Sequence, residues 1–134
     1  METLRDFLDE IWVVCSRCRQ CAIVRKLNGA QLTCAECGYI ESLTSVTQMR
    51  LGEMVDPFFL QPLWLRIDCC GEVLWAYNPR HLRFLREFVA EKLRDVGPPG
   101  HRNLGNKLPK WILLAKNRNQ VLKAISKLEK AVAG

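Results

Sequence analysis

Two cysteine pairs, Cys15-Ser16-Arg17-Cys18 and Cys34-Ala35-Glu36-Cys37, stand fifteen residues apart. Within each pair the spacing lets two thiolates grip one edge of a tetrahedral ion, and two such pairs make a four-sulfur site. A site filled by four thiolates leaves no open position for water, so the chemistry expected is structural binding of one zinc ion rather than hydrolysis. The ligand set expected is Cys15, Cys18, Cys34 and Cys37. Cys18 and Cys21 also have knuckle spacing; Cys15 and Cys18 are preferred because they directly follow an apolar strand, while Cys21 falls inside the next one.

The remaining chemistry-bearing residues are sparse. Cys69 and Cys70 are adjacent, and neighbours on a strand point to opposite faces, so a turn-plus-core role is favoured over a second metal site with Cys21, His81 or His101. His81 lies early in a predicted helix and His101 in a Pro/Gly-rich stretch. No Gly-x-Ser-x-Gly, phosphate-gripping glycine loop or His-Glu-x-x-His occurs. A redox use of Cys-x-x-Cys would want a helix start in a βαβ context, which is absent. The chain is expected not to be an enzyme and to have no small-molecule substrate.

The elements that must hold the cysteines can be taken in order. Leu4, Phe7 and Leu8 allow a turn or two of helix within residues 2–10, and Ile11 to Val14 form a strand feeding the first knuckle. Asn28-Gly29 between two β-compatible runs predicts a two-residue type I′ hairpin. ESLTSVTQMRL continues as a β-prone segment after the second knuckle, and residues 52–62 read as a connection. PLWLRI and EVLWAY flank Cys69-Cys70-Gly71 and predict a second hairpin buried on both faces or covered by helices. Asn78-Pro79 is a helix start, with Leu82, Leu85, Phe88, Val89 and Leu93 on one face and a stop at Gly97. GPPGHRNLGN, residues 97–106, is a linker. A shorter helix is expected from Pro109 through WILLAKN. A last helix restarts at Asn117, where Asn117 and Gln120 resemble a capping box, and turns Val121, Leu122, Ile125, Leu128 and Val132 inward.

The span from Trp12 to about Val46 resembles a zinc ribbon of the transcription factor IIB type. The match rests on C-x2-C, fifteen residues, then C-x2-C-G, with β segments between. It departs from the pattern at Arg19, which follows Cys18 where ribbons often carry glycine. The words LWLRIDCCGEVLWAYNPRHL and LPKWILLAKN resemble a group of small bacterial proteins described only as containing such a ribbon, which brings no activity with it. The resemblance implies a zinc ion on the same four cysteines.

The fold class expected is therefore α+β: a four-cysteine ribbon in residues 1–50, then a β-hairpin and about three helices in 51–134, packed with it as one unit. Nearly half of the residues are apolar, enough for a modest core that a metal staple would reinforce. The acidic start and the lack of a long apolar run favour a cytoplasmic protein with reduced thiols and no membrane span. The net charge of +6 is unevenly spread. Residues 1–78 hold 7 Lys+Arg against 10 Asp+Glu, whereas residues 79–134 hold 13 against 4. Such asymmetry favours an anionic partner for the C-terminal half. Nucleic acid, DNA or RNA, is expected to meet Lys107, Lys110, Lys116, Arg118, Lys123, Lys127 and Lys130. The competing expectation is a protein-interaction adaptor using Trp12, Trp64, Trp75 or Trp111 and the run VDPFFLQPLW, with zinc purely structural.

Overall fold

A computed structural model describes residues 7–27, 29–44, 53–92 and 110–133. Residues 2–6 of the expected N-terminal helix, the linker 97–106 and the helix stop at Gly97 lie outside these. Four strands make an antiparallel meander in sequence order: β1 (Glu10–Val14), β2 (Cys21–Leu27), β3 (Gly29–Thr33) and β4 (Ile40–Leu43). Two further strands, β5 (Leu65–Cys69) and β6 (Glu72–Ala76), form the second hairpin.

Alternation decides what the meander buries. Ile11 and Val13 of β1, Ala22 and Val24 of β2, and Ala30 and Leu32 of β3 share one face and are all buried. Phe7, Leu8, Phe58, Leu63 and Tyr77 close over that face as a first core. The turn between β2 and β3 differs from the expected two-residue hairpin. Leu27 pairs with Gly29, so Gly29 already belongs to β3; Asn28 lies outside the described residues. Gly29 is required for another reason: its φ is +144°, and a Cβ there would lie 2.0 Å from the carbonyl oxygen of Leu43. No side chain fits between the two strands at that point.

The free edge of β1 receives the second half of the chain. Trp12 N–H donates to the Tyr77 carbonyl at 2.8 Å, Val14 N–H to Pro62 at 2.9 Å, and Trp64 N–H to Trp12 at 3.0 Å. An edge strand left open would invite pairing with another chain, and here it is covered. The approach to β1 is set by Asp56, which is fully buried. Its carboxylate accepts the N–H groups of Phe58, Phe59 and Gln61 at 2.9, 2.6 and 2.7 Å, so one side chain organises the loop 56–61. Burial pushes its pKa above the usual carboxylate range despite these donors.

Helix α1 (Pro79–Lys92) starts as the sequence predicts. Asn78 caps it by accepting the His81 N–H at 2.7 Å, while its amide donates to the carbonyls of Phe7 and Glu10 at 2.9 and 2.6 Å. The cap thereby ties the helix start to the beginning of β1. A second long helix, α3 (Arg118–Ala133), lies against α1 and β5. Among the described residues two substantial helices are present rather than about three. The middle one is reduced to a single turn, α2 (Lys110–Leu113), and a 3-10 turn over Ala115–Asn117. Leu114 is extended at φ −75° and ψ 131°, and the Asn117 amide takes the Trp111 carbonyl at 2.8 Å. The expected capping box does not form, because Asn117 turns back to Trp111 and Gln120 accepts from Cys70.

Leu82, Leu85 and Val89 of α1 and Val121, Ala124, Ile125 and Leu128 of α3 bury against Leu65, Leu74 and Ala76 as a second core. Each fully buried leucine contributes about 1.5–3 kcal/mol through removal from water. Arg86 joins the helices at their rim, its Nε donating to Glu129 at 3.0 Å and its Nη2 to Ser126 at 2.8 Å. The two cores meet at β6, where Leu74 and Ala76 face the helices and Trp75 packs on the first core.

His81 sits in that junction, fully enclosed, stacked on Phe7 at 4.7 Å and Tyr77 at 5.3 Å. Its Nδ1 accepts the Tyr77 N–H at 3.0 Å, which fixes the proton on Nε2. It is a core residue, deeper than a helix-face position. Desolvation, with Arg80 nearby, lowers its pKa from 6.5 to about 3. The unfolded chain takes a proton at His81 below about pH 6.5 that the folded chain refuses until near pH 3. Stability from this group is thus complete above pH 6.5 and lost as pH falls, at about 1.4 kcal/mol per pH unit. Denaturant melts between pH 6 and pH 4 are expected to show a flatter pH dependence for His81→Gln. Equal slopes in the two proteins would contradict this.

Candidate metal centre

Each knuckle is a backbone construction. In the first, Cys15 N–H donates to the Gln20 carbonyl at 2.8 Å and Arg19 N–H to Cys15 at 3.0 Å. In the second, Cys34 N–H donates to Tyr39 at 2.9 Å and Gly38 N–H to Cys34 at 2.8 Å. Nineteen residues apart, the two turns repeat each other atom for atom. Gly38 has φ +79°, and Arg19, its counterpart, has φ +67°. The turn wants a left-handed residue after its second cysteine, and glycine supplies that in one knuckle only.

The first knuckle joins β1 to β2 and the second joins β3 to β4, so both lie at the same end of the meander. There the sulfurs of Cys15, Cys18, Cys34 and Cys37 all come within 4.8 Å of one another. Cys15 and Cys37 are 3.7 Å apart, and Cys18 and Cys34 are 3.5 Å apart. A tetrahedron with metal–thiolate arms of about 2.3 Å has edges of about 3.8 Å, so the spacing fits a four-thiolate ion. Cys15 and Cys34 are buried, Cys18 is half-buried and Cys37 is exposed. Arg17 covers one side, its guanidinium 5.0 Å from the Tyr39 ring, which bridges the two knuckles.

The electrostatics of the four thiols are coupled. Burial raises the Cys15 pKa, but the amides of Cys18 and Arg17, together with the neighbouring thiols, bring it down to about 7. For Cys18 the Gln20 amide lowers the pKa, yet desolvation and the other sulfurs outweigh it and push it up to about 12. At Cys37 the Tyr39 amide lowers the pKa, and desolvation with the Cys15 sulfur raises it overall. Ionisation is favoured at Cys15 and opposed at Cys18 and Cys37, because like charges this close repel one another. A divalent cation would supply the positive charge that lets all four ionise.

The other expected residues are placed as follows. Cys21 stands in β2 outside the cluster, its pKa raised to about 11 by burial. Cys69 and Cys70 form the tip of the β5–β6 hairpin, and His81 lies in the core; His101 is outside the described residues. Among the described residues the four cysteines are the one group of three or more metal-binding side chains that converge. Of the basic residues, Lys107 is outside the described set and Lys110 begins α2. Arg118 is half-buried and donates to the Ala90 carbonyl at 3.1 Å, in the last turn of α1, so it has a structural partner. Lys116 is exposed on the 3-10 turn. Lys123, Lys127 and Lys130 line one shallow groove of about 500 Å³ with Asn119, Leu122 and Ser126. Asn119 and Ser126 were not among the residues expected there. Their offsets from Lys123, four before and three after, place them on the same helical face.

No protein-family model, curated protein or solved structure matches this chain. The site therefore stands on its own geometry.

Two outcomes follow from that geometry. Chelation, or Cys34→Ser, is expected to unfold β1–β4, with a loss comparable to the whole stability of a small domain, about 5–15 kcal/mol. Circular dichroism and melting unchanged after metal removal would count against a folding role. Arg19→Gly is expected to stabilise the metal-loaded chain by about 1 kcal/mol, the left-handed penalty less the extra unfolded-state entropy of glycine. A lower melting temperature would show that exposed Arg19 holds something other than the turn.

Proposed function

We propose that this chain is a non-enzymatic zinc protein of the ribbon type that binds nucleic acid through the outer face of α3. The carrying observation is the alignment of Lys123, Lys127 and Lys130, all exposed, along one groove with the hydrogen-bonding side chains of Asn119 and Ser126. Three ammonium groups on a rigid helix neutralise phosphates without reading sequence. The charge of the C-terminal half, +9 from 13 Lys+Arg against 4 Asp+Glu, favours the same partner. Zinc is the metal that four closed thiolates suit, and its role is to hold the N-terminal sheet.

A second reading, a protein adaptor, draws on a different surface. Met54, Leu60 and Trp64 are 42%, 48% and 37% exposed on the segment that runs along β1. Trp12, Trp75 and Trp111 are partly buried against the two cores and offer less.

Titration of the zinc-loaded chain with a short duplex and a single strand at rising salt tests the proposal. Log affinity is expected to fall with log salt at a slope of about −2 to −3 if three lysines meet phosphates. Reversing Lys123 and Lys127 to Glu should leave melting unchanged and reduce the slope by about 2. Absence of binding even at low ionic strength would end the nucleic-acid reading and leave the adaptor. A large loss of stability in the double variant would assign those lysines to the fold.

A further inference from the structure

The hairpin between β5 and β6 turns on two residues, Cys70 and Gly71, since Cys69 pairs with Glu72. Their φ values are +60° and +79°, the pattern of a type I′ turn. Asn or Gly is the residue that position favours, and a cysteine there is held in a strained backbone region. The turn brings the two sulfurs to 3.2 Å, and the Cys70 thiol reaches Gln120 Oε1 of α3 at 3.0 Å. The protons therefore run in one direction: Cys69 S–H to Cys70 sulfur, Cys70 S–H to Gln120. Cys69 is buried on the second core, while Cys70 is half-buried against it.

We propose that Cys69 and Cys70 form a vicinal dithiol site for a thiophilic trivalent centre of the arsenic(III) class. Bonds to sulfur of about 2.3 Å meeting near 90°, the angle a lone pair imposes on a pyramidal centre, span about 3.3 Å between sulfurs. The two sulfurs already stand at that separation, so the chelate closes without moving the turn. A disulfide would require them at about 2.05 Å, a contraction of more than 1 Å in a tight turn. A tetrahedral ion would need two more ligands, and among the described residues no third metal-binding side chain converges on this pair. A trivalent centre that brings its own third substituent is complete with two sulfurs.

The step is a condensation without redox change. An arsenoxide, R–As=O, loses its oxygen as water with both thiol protons, two As–S bonds form, and arsenic stays trivalent. Cys70 then has no proton for Gln120, so occupancy releases the contact between this turn and the first turn of α3.

Phenylarsine oxide added to the metal-loaded full chain in excess glutathione, followed by intact-mass and peptide mass spectrometry, tests the site. One adduct per chain is expected on the peptide holding Cys69 and Cys70, resistant to the monothiol and removed by dimercaptopropanol. Cys70→Asn suits the turn, so it should melt at the same or a higher temperature and carry no adduct there. The proposal is overturned if the wild type is labelled only at Cys15, Cys18, Cys34 and Cys37, if glutathione strips the adduct, or if Cys70→Asn keeps it.

Discussion

Four thiols held within 4.8 Å of one another by backbone turns oppose one another's ionisation unless a cation is present. That constraint reaches far into the structure, because one knuckle closes β1 onto β2 and the other closes β3 onto β4. Holding the sulfurs together holds the two outermost strands of the meander at a common end. It thereby fixes which face carries Ile11, Val13, Val24 and Leu32. A slip of one residue would turn that face outward, so the metal centre and the apolar pattern select the same register.

β1 then passes the order on. One of its edges pairs with β2; the other accepts a hydrogen bond from the Trp64 N–H and donates to the carbonyls of Pro62 and Tyr77. Asn78 adds the start of α1 to the same strand through the carbonyls of Phe7 and Glu10. The four-stranded sheet and the helical half are therefore joined by main-chain hydrogen bonds as well as by packing. The side-chain part of the joint is aromatic: Trp75, Tyr77, His81 and Phe7 stack between the two cores. The neutral, buried histidine there offers one acceptor to Tyr77 and stacks as a ring, while its Nε2–H is buried without a hydrogen-bond partner among the described residues.

The cluster of four cysteines was legible because ligand spacing is a local property, and so were the pairing of β2 with β3, the second hairpin and the Asn78 cap. What escaped the sequence depends on contacts between distant segments. Gly29 looked like part of a turn and is instead where β4 crosses too closely for a side chain. Asp56, in a run that reads as an apolar surface, folds its carboxylate under three N–H groups that no sequence pattern announces. The middle helix failed because Asn117, apt for capping forward, bonds backward to Trp111. The basic half was visible as a charge imbalance. Only the helix placement separates Lys123, Lys127 and Lys130, which share a groove, from Arg118, which serves the end of α1.

Among the described residues three other than glycine have positive φ: Arg19, Leu60 and Cys70. The surroundings account for two of them. Arg19 closes the first knuckle by donating to Cys15, and Leu60 donates to the Asp56 carbonyl at 3.1 Å in the loop that carries the chain to β1. In both cases the hydrogen bond at the strained residue builds something on which the fold depends. Cys70 is different. A two-residue hairpin needs positive φ at that position but nothing from its side chain, and Asn or Gly would relieve the strain without disturbing Cys69, Glu72 or the pairing of β5 with β6. The fold therefore explains the conformation at Cys70 and leaves the choice of cysteine to be explained by its sulfur, which lies half-buried against a second sulfur beside the turn.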